Sequence, residues 1–187
     1  MRFARTHQLE TPRCILRHVS EDDIPHVFSA SRAEGFNDGM QWEPPSDQSE
    51  LIAPLENNKK AWEDDSAYVF TIETQSGDFV GRIAIRSTDS VDIWDLGFWT
   101  HPTCQGLGYM SEAVERILIF GFRELGAREI EACHATWNIA SRRVLEKCGF
   151  IWREHIPQGF QKKGRWISEE RLSRTEEAEQ VVSGNRR

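Results

Sequence analysis

Two short segments of the sequence carry residues whose types and spacing are suited to chemistry. The first runs from Gln105 to Met110, reads QGLGYM, and lies between a strand-like segment and a strongly periodic helix. The first amides of a helix lack intrahelical partners and lie at the positive end of its dipole, and glycines let an anion approach them closely. The segment therefore predicts a pyrophosphate cradle made of main-chain N–H groups, with a plain tight turn as the alternative. It matches neither the Rossmann glycine pattern nor a P-loop.

The second segment runs from Asn138 to Phe150. Asn138 is well placed to cap the helix that follows it, and capping alone is the alternative to a binding role. Ser141 lies three and four residues before Val144 and Leu145, so it shares their inward-facing stripe. A hydroxyl on that face needs a hydrogen-bond partner, which is either a nearby main-chain carbonyl or a ligand.

The elements that must position these segments follow from the periodicity of the apolar residues. An apolar stripe with steps of three and four residues runs from Met110 to Leu125 and predicts a helix that ends at Gly126. Alternating patterns before it predict an antiparallel meander of strands. The expected strands are 12–19, 68–74, 79–86, 91–100, 129–135, 150–156 and 164–172, and the expected helices begin near residues 24, 49, 110 and 138. Strands with helices packed on them predict an α+β, or mixed α/β, fold with a loop at 35–45.

Composition limits the class of protein. With 187 residues, of which 39% are hydrophobic, we expect a single domain over 1–175 and a flexible tail over 176–187. Lys and Arg number 23 against 30 Asp and Glu, and the net charge of −7 disfavours broad binding to nucleic acid. No apolar run reaches about 18 residues and no signal peptide is evident, so we expect a cytoplasmic protein without a membrane segment. The 4 cysteines form no CxxC pair, which indicates neither a zinc site nor a disulfide framework.

Together these segments resemble the GNAT superfamily of acetyl-CoA-dependent N-acetyltransferases, in particular its RimJ/RimL-like branch. Residues 13–17 resemble the opening strand and residues 95–99 the fourth strand, and the glycine loop, the Asn138 segment and the Gly149-Phe150 pair follow in the family's order. The resemblance implies one GNAT domain whose twisted, mostly antiparallel sheet splays at a site for acetyl-CoA, with no metal. It implies that acetyl-CoA is held by Phe98, Trp99, Thr100, Gln105, Gly106, Leu107, Gly108, Tyr109, Met110, Asn138 and Ser141.

The sequence departs from the family at several of these positions. Leu145 stands where many members carry a tyrosine acid, so the expected proton donor to the departing thiolate is Ser141. Gln105 replaces a basic residue, which removes one charge from the cradle and leaves its amides. Met110 replaces a small residue, and either its packing explains the change or the helix starts elsewhere.

Candidate groups for the acceptor side are carboxylates and aromatic rings. Asp95 has the position of an acidic residue common in this branch, and it is the expected base and acceptor contact, with a cross-strand ion pair as its alternative. Glu154 is a further candidate acid, and Trp42 is a candidate wall of the acceptor pocket. The basic residues Lys162, Lys163 and Arg165 are expected to form a solvated hairpin.

The resemblance implies transfer of acetyl from acetyl-CoA to a primary amine by direct attack. The acceptor is open between a protein N-terminal α-amine and a small amine such as a polyamine, an aminoglycoside or an amino acid. One alternative is a non-catalytic acetyl-CoA-binding module. Another is a nucleic-acid-associated protein that uses tryptophans and the basic cluster at 162–165, which the net charge opposes. The oligomeric state is open.

Overall fold

The structure is a computed structural model, and it describes residues 1–176. Its strands are β1 (Leu9–Glu10), β2 (Cys14–His18), β3 (Ala67–Thr74), β4 (Phe79–Ser87), β5 (Ile93–Thr100), β6 (Glu129–Ala135), β7 (Ile151–Lys162) and β8 (Arg165–Thr175). Its α-helices are α1 (Ile24–Ser31), α2 (Ile52–Glu63), α3 (Tyr109–Ile119) and α4 (Ile139–Lys147). The expected tail lies outside the described residues, apart from its first residue.

The strands form one eight-stranded sheet in the order β1-β2-β3-β4-β5-β6-β8-β7. Neighbouring strands are antiparallel except β5 and β6, which are parallel. The mixed α/β fold and the meander of β3, β4 and β5 are therefore confirmed. The last hairpin differs from expectation, because both of its strands are longer than predicted and β8 lies between β6 and β7.

The parallel pair β5 and β6 is joined over a short stretch. The register pairs Ile93 with Glu129 and extends only as far as Asp95 with Glu131. Beyond Asp95 the two strands diverge, so the sheet opens at their carboxyl ends. The chain leaves β5 toward the start of α3 and leaves β6 toward the start of α4, and both helix starts are therefore placed beside the opening.

Helix α3 packs its apolar stripe on one face of the sheet. Five members of the stripe are buried in the main core, namely Met110, Ala113, Val114, Ile117 and Leu118. The helix then continues as a π-helical turn, Phe120–Leu125, and ends at Gly126 with φ 80°. The end at Gly126 follows the prediction, whereas the spacing of the apolar residues does not predict the π-helical turn. This turn brings Gly121 against the sheet, where an added Cβ would lie 2.6 Å from the Ile130 side chain.

Helices α1 and α2 lie on the opposite face, over the first half of the sheet. A second apolar cluster forms there from Val19, Leu55, Val69 and Ala84. Past this cluster, residues 35–45 form a loop, as predicted, and the Phe36 ring packs edge-on against Trp99 of β5 with 5.3 Å between ring centroids. This loop therefore covers the open end of β5. No helix within residues 1–176 is long and apolar enough to cross a membrane.

Candidate functional site

A cleft of about 680 Å³ lies at the opening between β5 and β6 and extends over the starts of α3 and α4. Its lining includes nine of the residues predicted to hold acetyl-CoA: Phe98, Trp99, Thr100, Gln105, Gly106, Gly108, Met110, Asn138 and Ser141. Leu107 and Tyr109 lie in the same turn without lining the cleft, and Leu107 is exposed. One continuous surface thus joins two segments that are about thirty residues apart in the sequence.

The glycine loop has the geometry of an anion cradle. Gly106 and Gly108 have φ 76° and 84°, a region that costs other residues backbone strain. Gly108 is the N-cap of α3 and supplies no side-chain cap, so the first amides of the helix remain available to a ligand. Met110 is 5% exposed and belongs to the core. Packing therefore accounts for this large residue, and α3 begins where the sequence places it.

Arg13 stands beside the cradle, and the sequence reasoning missed its role. Its guanidinium lies 4.5 Å from the centroid of the Tyr109 ring, and its Nε donates to Glu112 at 2.6 Å. A guanidinium nitrogen lies 3.2 Å from the place where a Cβ of Gly108 would be. Arg13 thus supplies a positive charge that Gln105 does not, although strand β2 is remote from the loop in sequence. Two further cations, Arg143 and Lys147, line the cleft from α4.

Asn138 and Ser141 meet at the start of α4. The Oδ1 atom of Asn138 accepts a hydrogen bond of 3.1 Å from the Ser141 amide, so Asn138 caps the start of α4 as predicted. The Asn138 side chain also lines the cleft, which leaves its amide NH₂ able to face a ligand. Ser141 is half-buried, lines the cleft, and its Oγ has no hydrogen-bond partner within residues 1–176. The alternative considered for Ser141 was a hydrogen bond from its hydroxyl to a nearby main-chain carbonyl, and no such bond is present within residues 1–176.

The wall of the cleft that was expected to face the acceptor differs in detail from the prediction. Phe36, Met40 and Trp137 line the cleft, whereas Trp42 packs edge-on against Phe36 and is not part of the lining. Trp137, 52% exposed, directly precedes Asn138, and that proximity is the sequence signal that could have identified it.

Lys162 corrects the expectation of a wholly solvated hairpin. Its side chain is only 6% exposed, and its Nζ donates to the main-chain oxygens of Met40 and Trp42, each at 2.8 Å. Lys163 and Arg165 are exposed, as predicted. The buried ammonium needs these two carbonyls as partners, so the loop 35–45 and the end of β7 hold each other in place.

The two carboxylates named from the sequence form ion pairs outside the cleft lining. Asp95 lies opposite Arg86 in the register of β4 and β5, with 3.0 Å between its Oδ2 and the guanidinium. Glu154 of β7 lies 2.9 Å from Arg171 of β8. The cross-strand ion pair considered for Asp95 is therefore present.

The cysteines are free thiols, and one of them, Cys133, lines the cleft. Burial raises the pKa of Cys133 to about 11, so its thiol stays protonated at neutral pH and is a poor nucleophile. No group of three or more His, Cys, Asp or Glu within residues 1–176 is arranged to hold a metal ion.

Known proteins resemble this chain in both sequence and fold. The family described as "Acetyltransferase (GNAT) domain" matches residues 13–151. The uncharacterized N-acetyltransferase YnaD of Bacillus subtilis is 29% identical over 156 residues, which is 81% of this chain and 89% of that protein. The uncharacterized N-acetyltransferase YoaA of the same organism is 24% identical over 144 residues, 76% of this chain and 81% of YoaA.

Solved structures show the same fold at low sequence identity. An acetyltransferase of Salmonella typhimurium, described as modifying the N-terminal serine of ribosomal protein L7/L12, superposes with a TM-score of 0.81 at 17% identity, covering 90% of this chain and 99% of that chain. A RimL ribosomal L7/L12 α-N-protein acetyltransferase in complex with coenzyme A superposes with a TM-score of 0.82 at 17% identity. The match covers 90% of this chain and 98% of that chain.

Proposed function

The chain belongs to the GNAT acetyltransferase family, as the sequence resemblance predicted, and from that premise we propose that it transfers acetyl from acetyl-CoA to the α-amine of a peptide or protein. The observation that carries the proposal is the continuity of the cleft, which joins the amide cradle, the opening between β5 and β6, and the free hydroxyl of Ser141. Acetyl-CoA supplies an activated thioester when bound. A non-catalytic module has no need for a free hydroxyl at this place.

The residues present fit acetyl-CoA along the length of the cleft. The first amides of α3 and the guanidinium of Arg13 suit the pyrophosphate. Among the described residues the edge of β5 beyond Asp95 has no strand partner on the β6 side, so its main-chain groups can pair with an extended pantetheine arm. The amide of Asn138 can bond to that arm while its oxygen caps α4.

Ser141 is the group we assign to the departing sulfur. The neutral acceptor nitrogen attacks the thioester carbon and gives up one proton to solvent as the amide forms. The carbon–sulfur bond breaks, and the thiolate takes the Ser141 hydroxyl proton, which solvent replaces. A main-chain N–H on the open edge of β5 can stabilise negative charge on the carbonyl oxygen. Holding both reactants in one cleft lowers the entropic part of the barrier.

The choice of an α-amine rests on how easily it deprotonates. An α-amine with a pKa of about 7.8 is roughly 14% neutral at pH 7, whereas a lysine amine near 10.4 is only about 0.04% neutral. The difference corresponds to about 3.5 kcal/mol of deprotonation free energy. The structural neighbours described as acting on the N-terminal serine of a ribosomal protein support the same choice.

The test is turnover of acetyl-CoA against a panel of amines, with mass spectrometry of the products. The panel contains N-terminal peptides, the same peptides with blocked N-termini and a free lysine, and spermidine, an aminoglycoside and free amino acids. We expect the unblocked peptides to have the highest kcat/KM. A higher value for spermidine or for the blocked lysine peptides would overturn the α-amine assignment while leaving the family assignment intact.

A further inference from the structure

His134 of β6 carries a buried ring nitrogen without a partner. The residue is 4% exposed, and within residues 1–176 its Nε2 atom forms no hydrogen bond. His134 also lines the cleft. Other described residues hold buried side-chain nitrogen or oxygen atoms without a partner, but none of those residues lines the cleft. Because an unpaired buried polar atom costs folding free energy, Nε2 is the atom of the cleft most in need of a partner from outside the described chain.

The other ring nitrogen of His134 determines which kind of partner Nε2 needs. Nδ1 lies 2.9 Å from the main-chain oxygen of Ala135, and a carbonyl oxygen only accepts hydrogen bonds. In the neutral ring the proton is therefore on Nδ1, and Nε2 presents a lone pair. The same Ala135 oxygen accepts a hydrogen bond of 2.8 Å from the main-chain N–H of Asn138, which ties the ring to the start of α4. Nε2 thus needs a hydrogen-bond donor.

The polar side chains that face His134 do not supply this donor. Glu170 lies opposite His134 in the register of β6 and β8, and its oxygens accept from Trp152 Nε1 at 2.5 Å and from His155 Nδ1 at 3.0 Å. The hydrogen bond from Trp152 holds the pKa of Glu170 below its usual range, so Glu170 is a carboxylate at neutral pH and has no proton to donate. Ser141 lines the same cleft, and its hydroxyl forms no hydrogen bond to His134.

His134 lies in the opening of the sheet, where the arm of acetyl-CoA is expected. Glu131 is the last residue of β6 that pairs with β5, and His134 follows it by three residues on the diverging part of the strand. The side chain of His134 belongs to the face that Ala132 shares, because alternate residues of a strand point the same way. Ala132 is in the main core with residues of α3 and α4, so His134 and Ser141 approach the cleft from the same side of the sheet.

We propose that His134 is a cofactor-binding residue whose Nε2 accepts a hydrogen bond from an amide N–H of the pantetheine arm of acetyl-CoA. The proposal rests on the proposed function, which places acetyl-CoA in this cleft. It deepens that function by naming a side chain on β6 that holds the arm in position, opposite the open edge of β5.

The chemistry of the cofactor identifies the amide as the donor. Phosphate groups at neutral pH and the thioester only accept hydrogen bonds, so neither satisfies a lone pair. The adenine amino group and the pantoyl hydroxyl are attached close to the pyrophosphate, which we assign to the cradle at the start of α3. The two amide N–H groups lie between that end and the thioester, on the stretch of the arm that crosses the opening.

His134 and Asn138 together offer both kinds of hydrogen bond that an amide requires. The NH₂ group of Asn138 can donate to an amide carbonyl, and Nε2 of His134 can accept from an amide N–H. Each of the two amides of pantetheine has both groups, and burying either group without a partner is unfavourable. The two side chains therefore fix the arm along its length, which presents the thioester to Ser141.

His18 of β2 is a matched control within the same chain. Its Nδ1 is also 2.8 Å from the main-chain oxygen of the next residue, Val19, and its Nε2 likewise has no partner among residues 1–176. His18 is not part of the cleft lining, and its ring packs edge-on against Trp62 with 4.9 Å between ring centroids. The unpaired nitrogen is thus common to both histidines, and the position in the cleft distinguishes His134.

The first test compares variants of the two histidines by calorimetry with acetyl-CoA. His134→Asn keeps a group that can donate to the Ala135 oxygen and has no atom at the place of Nε2. We expect its Kd to rise about 10-fold, the effect of one hydrogen bond. His134→Gln, whose side-chain oxygen can reach that place, should keep a Kd within about 3-fold of the unaltered protein. His18→Asn should leave the Kd unchanged. Equal Kd values for His134→Asn and the unaltered protein would overturn the proposal.

The second test changes the cofactor and leaves the protein unaltered. Two analogues of acetyl-CoA each carry an ester oxygen in place of one of the two amide N–H groups. We expect one analogue to bind about 10-fold more weakly than acetyl-CoA, because a lone pair then faces Nε2 where a donor is needed. His134→Asn should bind that analogue and acetyl-CoA with nearly equal Kd. If neither analogue binds more weakly, or if the loss is the same in His134→Asn, the proposal is wrong.

The same measurements separate this proposal from a structural role and from the proposed function. A merely structural His134 would lower the melting temperature in His134→Asn and leave the effect of the ester analogue unchanged, which contradicts the proposal. If the protein binds no acetyl-CoA, the proposal and the proposed function both fail. If both binding tests give the expected result and no peptide is acetylated, the proposal stands and the acceptor assignment alone fails.

Discussion

The ammonium of Lys162 donates a hydrogen bond to the main-chain oxygen of Trp42, 120 residues earlier in the chain, at a distance of 2.8 Å. A second hydrogen bond of the same length reaches the main-chain oxygen of Met40, and Met40 lines the cleft. The last hairpin of the sheet therefore sets the position of the loop whose Met40 lines the cleft, on the side that we propose faces the acceptor.

Replacing Lys162 by Met tests this connection. We expect a loss of about 2 kcal/mol in the free energy of unfolding, because two part-buried carbonyls and the Glu43 carboxylate lose a charged partner. The KM for the acceptor should rise about 10-fold, while the Kd for acetyl-CoA changes less than 2-fold, since the cradle is formed by another part of the chain. Urea denaturation and steady-state kinetics measure both effects. Lys163→Met, at an exposed position, should leave the urea midpoint unchanged.

Replacing Gly108 by Asp tests the cradle. The change introduces a side chain and a negative charge where the pyrophosphate is expected, so binding of acetyl-CoA should be lost. Gly77→Asp is the matched control, because Gly77 also has a positive φ, 90°, and an added Cβ there meets nothing within 4 Å. Both variants carry comparable backbone strain, and calorimetry with acetyl-CoA should separate them. Unchanged affinity in a folded Gly108→Asp protein would remove the cradle assignment.

Asn138 allows capping and cofactor binding to be measured separately. Asn138→Asp keeps the oxygen that accepts from the Ser141 amide but loses the amide NH₂. We expect its stability to be retained and its affinity for acetyl-CoA to fall several-fold. Asn138→Ala loses the cap as well and should cost about 1 kcal/mol of stability. Equal acetyl-CoA affinity in Asn138→Asp and the unaltered protein would reduce Asn138 to a helix cap.

Ser141→Ala tests the assignment of the proton donor. We expect kcat to fall roughly 10-fold or more, with an upper limit of about 10² to 10⁴, which is what general acid–base catalysis typically contributes. The Kd for acetyl-CoA should change little, because the cap at this helix start uses the Ser141 amide and not its hydroxyl. Steady-state assays measure kcat, and calorimetry measures the Kd for acetyl-CoA. A kcat equal to that of the unaltered protein would mean that water protonates the sulfur.

Local patterns in the sequence predicted much of the fold and many of the residues that line the cleft. The glycine loop, the apolar stripe behind Met110 and the cap at Asn138 each depend on residues within one or two helical turns, and periodicity and capping rules describe such contacts well. The meander follows for the same reason, because short turns join neighbouring strands.

Contacts between remote segments were not predictable in this way. Arg13 reaches Tyr109 only after β2 and α3 pack together, and Lys162 becomes buried only because the loop 35–45 closes over it. For Asp95 the structure shows the cross-strand ion pair that was its alternative, and the pairing with Arg86 follows from the register of β4 and β5.

Asp95→Asn distinguishes a catalytic base from a structural ion pair. If Asp95 takes the proton from the acceptor amine, the variant should lose rate most strongly at low pH. If its role is the ion pair with Arg86, kcat/KM should keep its pH profile, and the free energy of unfolding should fall by at most about 1 kcal/mol, because both side chains are well exposed. We expect this second outcome, since Asp95 lies outside the cleft lining. The measurement is kcat/KM for an N-terminal peptide between pH 5 and pH 8, with urea denaturation for the stability. A loss of rate confined to low pH would instead assign the base to Asp95.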